Sequence, residues 1–233
     1  MTKAETDHNT PGHALPMSRL LQKVPDEVRR FILGASPPVN LKKGQRLFER
    51  GDPGGTMYVV LEGRMEISMV TEAGRKISLN LIGPGTCFGE ISMFDNRDRT
   101  ASAVAVDTAQ LQPISRATFF EAARRCPDLA ITLTEILCER LRWVSDSVEE
   151  YALLSLHQRL ARRLLVLHDH FAGPDGSVQI AQTDLADFAG ATRESTNKIL
   201  MQWKAKGLIT LKRRMIHVNS RSEMDRLAHE ASD

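Results

Sequence analysis

The chain has 233 residues, 42% of them hydrophobic and 26% charged, an ordinary globular composition with room for two domains. No apolar run reaches the roughly 18 residues of a membrane span, and MTKAETDHNTPGHALP carries no apolar signal segment, so no membrane partner and a cytoplasmic location are expected. The net charge of +2 hides an asymmetry: His157 to Val218 holds ten Lys or Arg against five Asp or Glu, which is +5 and leaves −3 elsewhere, and Thr192 to Val218 holds seven against one, the footprint of a polyanion partner.

Residues 1–19, with Pro11, Gly12 and Pro16, read as a flexible arm. From Leu41 to Ser115 turn signals recur about every ten residues, at Lys43-Gly44, Arg50 to Gly55, Glu62-Gly63, Ala73-Gly74 and Gly83-Pro84-Gly85. Between them lie short alternating runs; Met65, Ile67 and Met69, for example, share one face. The pattern predicts an α+β chain whose residues 20–126 form a small antiparallel β-barrel or jelly roll, wide enough to hold one small ligand.

Inside that region, residues 88–103 read FGEISMFDNRDRTASA. Glu90 and Arg99 are residue types rarely buried without a partner, yet Phe88, Ile91, Met93 and Phe94 stand on one side and Ala101, Ala103 and Val104 on the other. Either a polar ligand belongs between them or they pair as a Glu90–Arg99 salt bridge. Cys87, Cys126 and Cys138 fit neither a disulfide framework nor a zinc site and are expected as reduced thiols in or near a core.

Beyond Pro127, suited to a first helical position, Leu137, Leu141, Val144, Val148 and Tyr151 follow one another in steps of 4, 3, 4 and 3. This heptad seam predicts a parallel homodimer joined along a helix within residues 127–156, with an intramolecularly packed helix as the alternative. Over residues 157–233 a helix runs through Leu160, Leu164, Leu167 and Phe171 and ends at Gly173-Pro174-Asp175-Gly176. A strand over Ser177 to Ala181, a helix over Thr183 to Ala189 capped by Thr183, a turn at Gly190-Ala191-Thr192 and a second helix from Arg193 to about Lys206, capped by Thr192 and stopped by Gly207, follow.

Helix, short turn, helix is the arrangement of DNA readers, and double-stranded DNA is the partner it implies. Leu208 to Val218, with Lys212, Arg213 and Arg214 in its middle, reads as a two-stranded wing with a basic tip. On the second helix Ile199, Leu200 and Trp203 turn inward, while Arg193, Glu194, Asn197 and Lys198 face a major groove. Ser195, Thr196, Lys204 and Lys206 are placed for phosphates.

A ligand-sized barrel, a dimer helix and a C-terminal winged helix-turn-helix, in that order, resemble the CRP/FNR family of bacterial transcription regulators from about Leu20 to Val218. Two motifs carry the resemblance: FGEISMF followed four residues later by RTASA, similar to a cyclic-nucleotide phosphate-binding cassette, and GATRESTNKIL, similar to the CRP recognition helix. It implies that Glu90 accepts from the ribose 2′-hydroxyl and Arg99 pairs with the cyclic phosphate. Gly89 and Ala101 then let the backbone approach, and Ile91 and Ser92 belong to the same ligand-binding segment. Thr100 matches either a Ser that reaches the phosphate or the Thr that bonds guanine in cGMP-dependent kinases, so both cAMP and cGMP remain open. Where the family's cAMP responder has Thr-Ser on the dimer helix, this chain has Val144-Ser145, which leaves Ser145, from the opposite chain, to read the base, with Arg140 nearby.

The resemblance further implies a hinge at Glu150 to Leu156 that reorients the DNA-binding domains, a palindromic TGTGA-like operator read by Arg193 and Glu194, and RNA polymerase as a partner. Lys198 stands where the family has Arg, which weakens selection at its base. Residues 1–86 contain no cysteine and no histidine lies between His13 and His157, so iron–sulfur and haem subclasses, and metal cofactors generally, are not expected. An enzyme is not expected either: there is no P-loop, no Gly-x-Ser-x-Gly and no His-Glu-x-x-His, and His168-Asp169-His170 reads as a solvated helix end. The competing readings are a regulator that senses another signal or needs none, and a nucleotide-binding subunit of an enzyme.

Overall fold

The structure, a computed structural model, describes residues 20–21, 24–72, 74 and 76–229; the arm expected over residues 1–19 lies outside them. The alternating region folds as β1 (Val39–Leu41), β2 (Arg46–Phe48), β3 (Thr56–Glu62), β4 (Met65–Val70), β5 (Lys76–Ile82), β6 (Cys87–Phe88), β7 (Ser102–Ala105) and β8 (Ala109–Ser115). They pair antiparallel in two four-stranded sheets, β1-β8-β3-β6 and β2-β7-β4-β5. Apart from the β4–β5 hairpin, the chain alternates between the sheets as in a jelly roll, and the sheets stay open rather than closing into a barrel. Leu41, Val60, Phe88 and Leu111 from the first meet Met65, Ile82, Ala103 and Ala105 from the second to form the core between them. The β3–β4 turn demands its glycine: Gly63 has φ +76°, and a Cβ there would lie 2.2 Å from the Thr108 carbonyl oxygen.

Helices α1 (Asp26–Gly34), the short α2 (Glu90–Asp95) between β6 and β7, α3 (Arg116–Arg125) and the long α4 (Asp128–Leu153) accompany the sheets. Val28 and Ile32, Phe119 and Ala122, and Leu129, Leu133 and Ile136 join Met57, Val59 and Ile114 in a second core. The first half of α4 is therefore buried against the sheets, and its second half emerges from them.

The expected seam divides along that line. Leu137 packs partly against the second core, whereas Leu141 and Val148 are 68% and 64% exposed and Val144 is exposed with them. Tyr151 is 43% exposed as well, and its ring also reaches its own chain: a Cβ on Gly190 would come within 2.6 Å of it, and it sits 5.4 Å from the Arg159 guanidinium.

The C-terminal module contains α5 (Leu156–Phe171), β9 (Ser177–Gln179), α6 (Gln182–Phe188), α7 (Arg193–Ala205), β10 (Ile209–Lys212), β11 (Met215–Val218) and α8 (Arg221–His229). Ser155 and Gln158 form a capping box that starts α5. Leu160, Leu164, Leu185, Phe188, Leu200, Trp203, Ile216 and Met224 make its core. The two-stranded wing forms as expected from β10 and β11, and β9 adds a third strand to its sheet by pairing with β11. Two local expectations are corrected here. Ala181, not Thr183, stands at the start of α6, and the Thr183 hydroxyl bonds Asp184 Oδ1 at 3.3 Å. Asp169 is not merely a solvated helix end, since it pairs with Arg221 and ties α5 to α8.

The modules touch. Leu81 of β5 packs against the C-terminal core, and the Arg64 guanidinium lies 5.7 Å from the Phe171 ring. At the junction, buried Glu150 meets Arg163 at 2.9 Å and Arg162 at 3.2 Å, and Arg162 also donates to the Ala228 carbonyl.

Candidate functional site

Gly89, with φ +78°, follows β6 and caps α2, so that Glu90 and Ser92 stand in the first turn of that helix, both buried. Arg99 reaches the same place from the loop before β7. Its Nη1 donates to the Gly89 carbonyl at 2.9 Å and to Ser92 Oγ at 2.8 Å, and its Nη2 donates to the Thr56 carbonyl at 2.7 Å. The guanidinium stacks 4.2 Å from the Phe48 ring centre, and its Nε has no partner. Burial pulls the Arg99 pKa below its ordinary value, against the raising influence of Tyr58, Asp52 and Glu90.

Glu90 is 1% exposed, and it does not pair with Arg99. One carboxylate oxygen accepts from Nη1 of Arg140 on α4, whose Nη2 donates to the Cys87 carbonyl; the other oxygen is buried without a hydrogen-bond partner. This overturns the Glu90–Arg99 salt bridge and gives Glu90 a cation fifty residues away in sequence. Burial would lower the Arg140 pKa, but Glu90 and Cys87 outweigh it and hold the pKa above normal. Burial also pushes the Cys87 thiol up to about 11. Cys87 and Cys126 are buried as expected, whereas Cys138 is exposed on α4.

These groups border a cavity of about 810 Å³ between the β2-β7-β4-β5 sheet, α2 and α4. Gly89, Glu90, Ile91, Ser92, Arg99, Thr100, Ala101, Arg140 and Ser145 all line it. The Ser145 hydroxyl donates to the Leu141 carbonyl at 3.0 Å. Sequence reasoning missed Phe48, Asn80, Trp143 and Asp146, which also line the cavity. No motif marked them, because they arrive from β2, β5 and α4.

On the opposite module Thr192 caps α7, its Oγ1 accepting from the Ser195 amide at 3.2 Å. Arg193, Glu194, Ser195, Asn197 and Lys198 are exposed on one face, with Lys212 and Arg213 exposed at the wing tip. Ile199, Leu200 and Trp203 are buried beneath them. Thr196 is fully buried as well and cannot meet a phosphate.

A cavity with a buried carboxylate and guanidinium, joined by a long helix to an exposed basic helix and wing, defines a two-module DNA-binding regulator. Residues 38–126 match the cyclic nucleotide-binding domain family and residues 158–227 the Crp-like helix-turn-helix domain family. The chain is 31% identical to the cyclic AMP receptor protein of Thermus thermophilus over 186 residues, 80% of this chain and 85% of that one. It is 28% identical to the CRP-like cAMP-activated global transcriptional regulator of Mycobacterium tuberculosis over 199 residues, 83% and 88% of the two chains. A solved CRP/FNR-family transcriptional regulator, also from Thermus thermophilus, superposes with a TM-score of 0.74 at 26% identity, over 84% of this chain and 100% of that one. The chain belongs to the CRP/FNR family of transcription regulators.

Proposed function

We propose that a cyclic nucleotide, cAMP or cGMP, binds the cavity and sets the DNA affinity of a cytoplasmic homodimer that recognises a palindromic TGTGA-like operator and works with RNA polymerase. The observation that carries the ligand reading is the pair of buried, incompletely satisfied polar groups in one cavity: Glu90 with one bare oxygen and Arg99 with a bare Nε and a pKa lowered by burial. A cyclic phosphate would neutralise Arg99 by charge-assisted bonds, with the backbone at Thr100 and Ala101 closing on it, and a ribose hydroxyl would donate to the free oxygen of Glu90. Two names among the relatives, a cyclic AMP receptor protein and a cAMP-activated regulator, favour cAMP over cGMP.

The response would travel along α4. Arg140 ties that helix to Glu90, the exposed Leu141, Val144 and Val148 would meet a second copy, and Glu150 and Tyr151 hold the far end against α5 and the Gly190 turn. A change at Glu90 therefore reaches the mounting of α7 without crossing solvent. To switch a population from 1:99 to 99:1 the ligand must favour one state by about 5.5 kcal/mol, within reach of two charge-assisted bonds at each of two sites.

Calorimetric titration with cAMP and cGMP side by side, repeated on Arg99→Leu, tests the reading. The parent protein is expected to bind, and the variant to remain folded with no heat from either ligand. Undiminished binding by Arg99→Leu, or operator affinity in gel shifts that neither nucleotide alters, would overturn it.

A further inference from the structure

We infer that Arg116 is a positioning residue that fixes α2 and, through it, the ribose contact of Glu90; the inference rests on the cyclic-nucleotide reading above. Helix α2 has only six residues, Glu90 to Asp95. A helix that short does not persist in water by itself, and its last four carbonyls have no partner within it. It cannot lengthen to satisfy them, because Asn96 leaves it in a left-handed conformation at φ 57°. A group outside α2 must hold it.

Arg116, the first residue of α3, does so. Its Nη1 donates to the Met93 carbonyl at 2.7 Å and to the Phe94 carbonyl at 2.8 Å, two of those four groups. A cation there also meets the negative end of the helix. The guanidinium is itself placed: it lies 5.1 Å from the Phe120 ring centre, and the Arg116 amide donates to the Gly55 carbonyl at 3.0 Å. Phe94 completes the joint, edge-on to Phe119 at 5.2 Å and to Phe120 at 5.6 Å.

Arg116 does not border the cavity, whereas Glu90, Ile91 and Ser92 of α2 do. It therefore acts on a ligand only through that helix. The other end of α2 is held by Arg99, on the Gly89 carbonyl and Ser92 Oγ, and by Arg140, on one oxygen of Glu90. Those contacts rearrange when a phosphate and a ribose arrive. The Arg116 contacts do not, so they supply the fixed point.

Without Arg116 two carbonyls lose their donor, and α2 can rotate about its Gly89 end and carry the Glu90 carboxylate off the ribose 2′-hydroxyl. Arg99 keeps its place for the phosphate, because Nη2 also holds the Thr56 carbonyl of β3. The two halves of the ligand should respond differently.

The test is a cycle between protein and ligand. Wild type, Arg116→Met and Arg116→Lys are titrated calorimetrically with cAMP and with 2′-deoxy-cAMP, which lacks only the hydroxyl that Glu90 would accept from. Methionine keeps an apolar stem against Phe120 and removes the donor, so this variant should still melt cooperatively. Wild type should prefer cAMP by about tenfold or more, the worth of one hydrogen bond to a charged group. Arg116→Met should bind the two ligands alike, with the affinity of wild type for 2′-deoxy-cAMP. Because Nη1 alone makes both bonds, one ammonium can replace it, and Arg116→Lys should recover most of the preference.

Full preference retained by Arg116→Met, no preference in wild type, or an equal loss of both ligands in Arg116→Met would each overturn the inference. So would an Arg116→Lys protein no more selective than Arg116→Met. Wild type that binds neither ligand would instead sink the cyclic-nucleotide reading, and this inference with it.

Discussion

The constraint that bears most directly on the site at the scale of single residues is at Gly89. Its φ of +78° is left-handed, and a Cβ would come within 2.7 Å of Arg99 Nη1 and 3.3 Å of the Thr56 carbonyl. Alanine there strains the backbone by roughly 1–2 kcal/mol and pushes the guanidinium off its carbonyl partners. Gly89→Ala is therefore expected to weaken nucleotide binding by about tenfold or more, read by calorimetry, with a modest fall in melting temperature. Wild-type affinity in that variant would mean that Arg99 is not held as described. Charge arithmetic on FGEISMFDNRDRTASA was enough to single out Glu90 and Arg99, because buried ionised groups demand partners whatever the fold. It could not choose the partner of Glu90, since Arg140 lies fifty residues on in a different element.

Among the elements, α4 carries the most. Its 26 residues, about 39 Å at 1.5 Å per residue, begin in a core, pass the cavity and end at the winged module. The end is fastened by Glu150, 4% exposed, between Arg162 and Arg163, and Arg163 also lies 5.5 Å from the Phe188 ring of α6. Removing one partner of a buried ion pair leaves the other charge uncompensated, at a cost of about 3–5 kcal/mol. Glu150→Ala should lower the urea midpoint accordingly; a midpoint within error of wild type would show that the clamp contributes nothing. The heptad spacing made this helix legible, but period alone reports which residues share a face and not what covers each of them. That is why Leu137, in register with the seam, packs within the chain, while Leu141, Val144, Val148 and Tyr151 stay exposed.

Considered as a whole molecule, the chain leaves an apolar stripe in water and a basic face on the opposite module, and both call for partners. Val148 lies on the stripe but outside the cavity, so Val148→Asp separates assembly from ligand binding. Sedimentation should find the parent protein a dimer and this variant a monomer that still binds nucleotide; a dimeric variant would remove α4 from the interface. Two recognition helices about 34 Å apart would then meet successive major grooves. Arg193→Ala should cost about 1–3 kcal/mol at one operator position and relax its sequence preference, whereas Lys212→Ala should weaken all sequences alike and reduce the salt slope by about 1. Binding by both variants indistinguishable from wild type would remove α7 and the wing from the DNA contact.

Local chemistry was written in the chain itself. Alternation and turn residues specified two small sheets, Thr192 and Gly207 bounded α7, and the Arg193-to-Lys198 face stood opposite Ile199, Leu200 and Trp203, because each of these follows from the period and capping of a single element. Tertiary structure alone decided that Arg140 completes Glu90, that Tyr151 rests on the Gly190 turn and that β9 widens the sheet of the wing. Those are meetings between elements distant along the chain, settled by which apolar faces must cover one another, and no spacing within one segment encodes them.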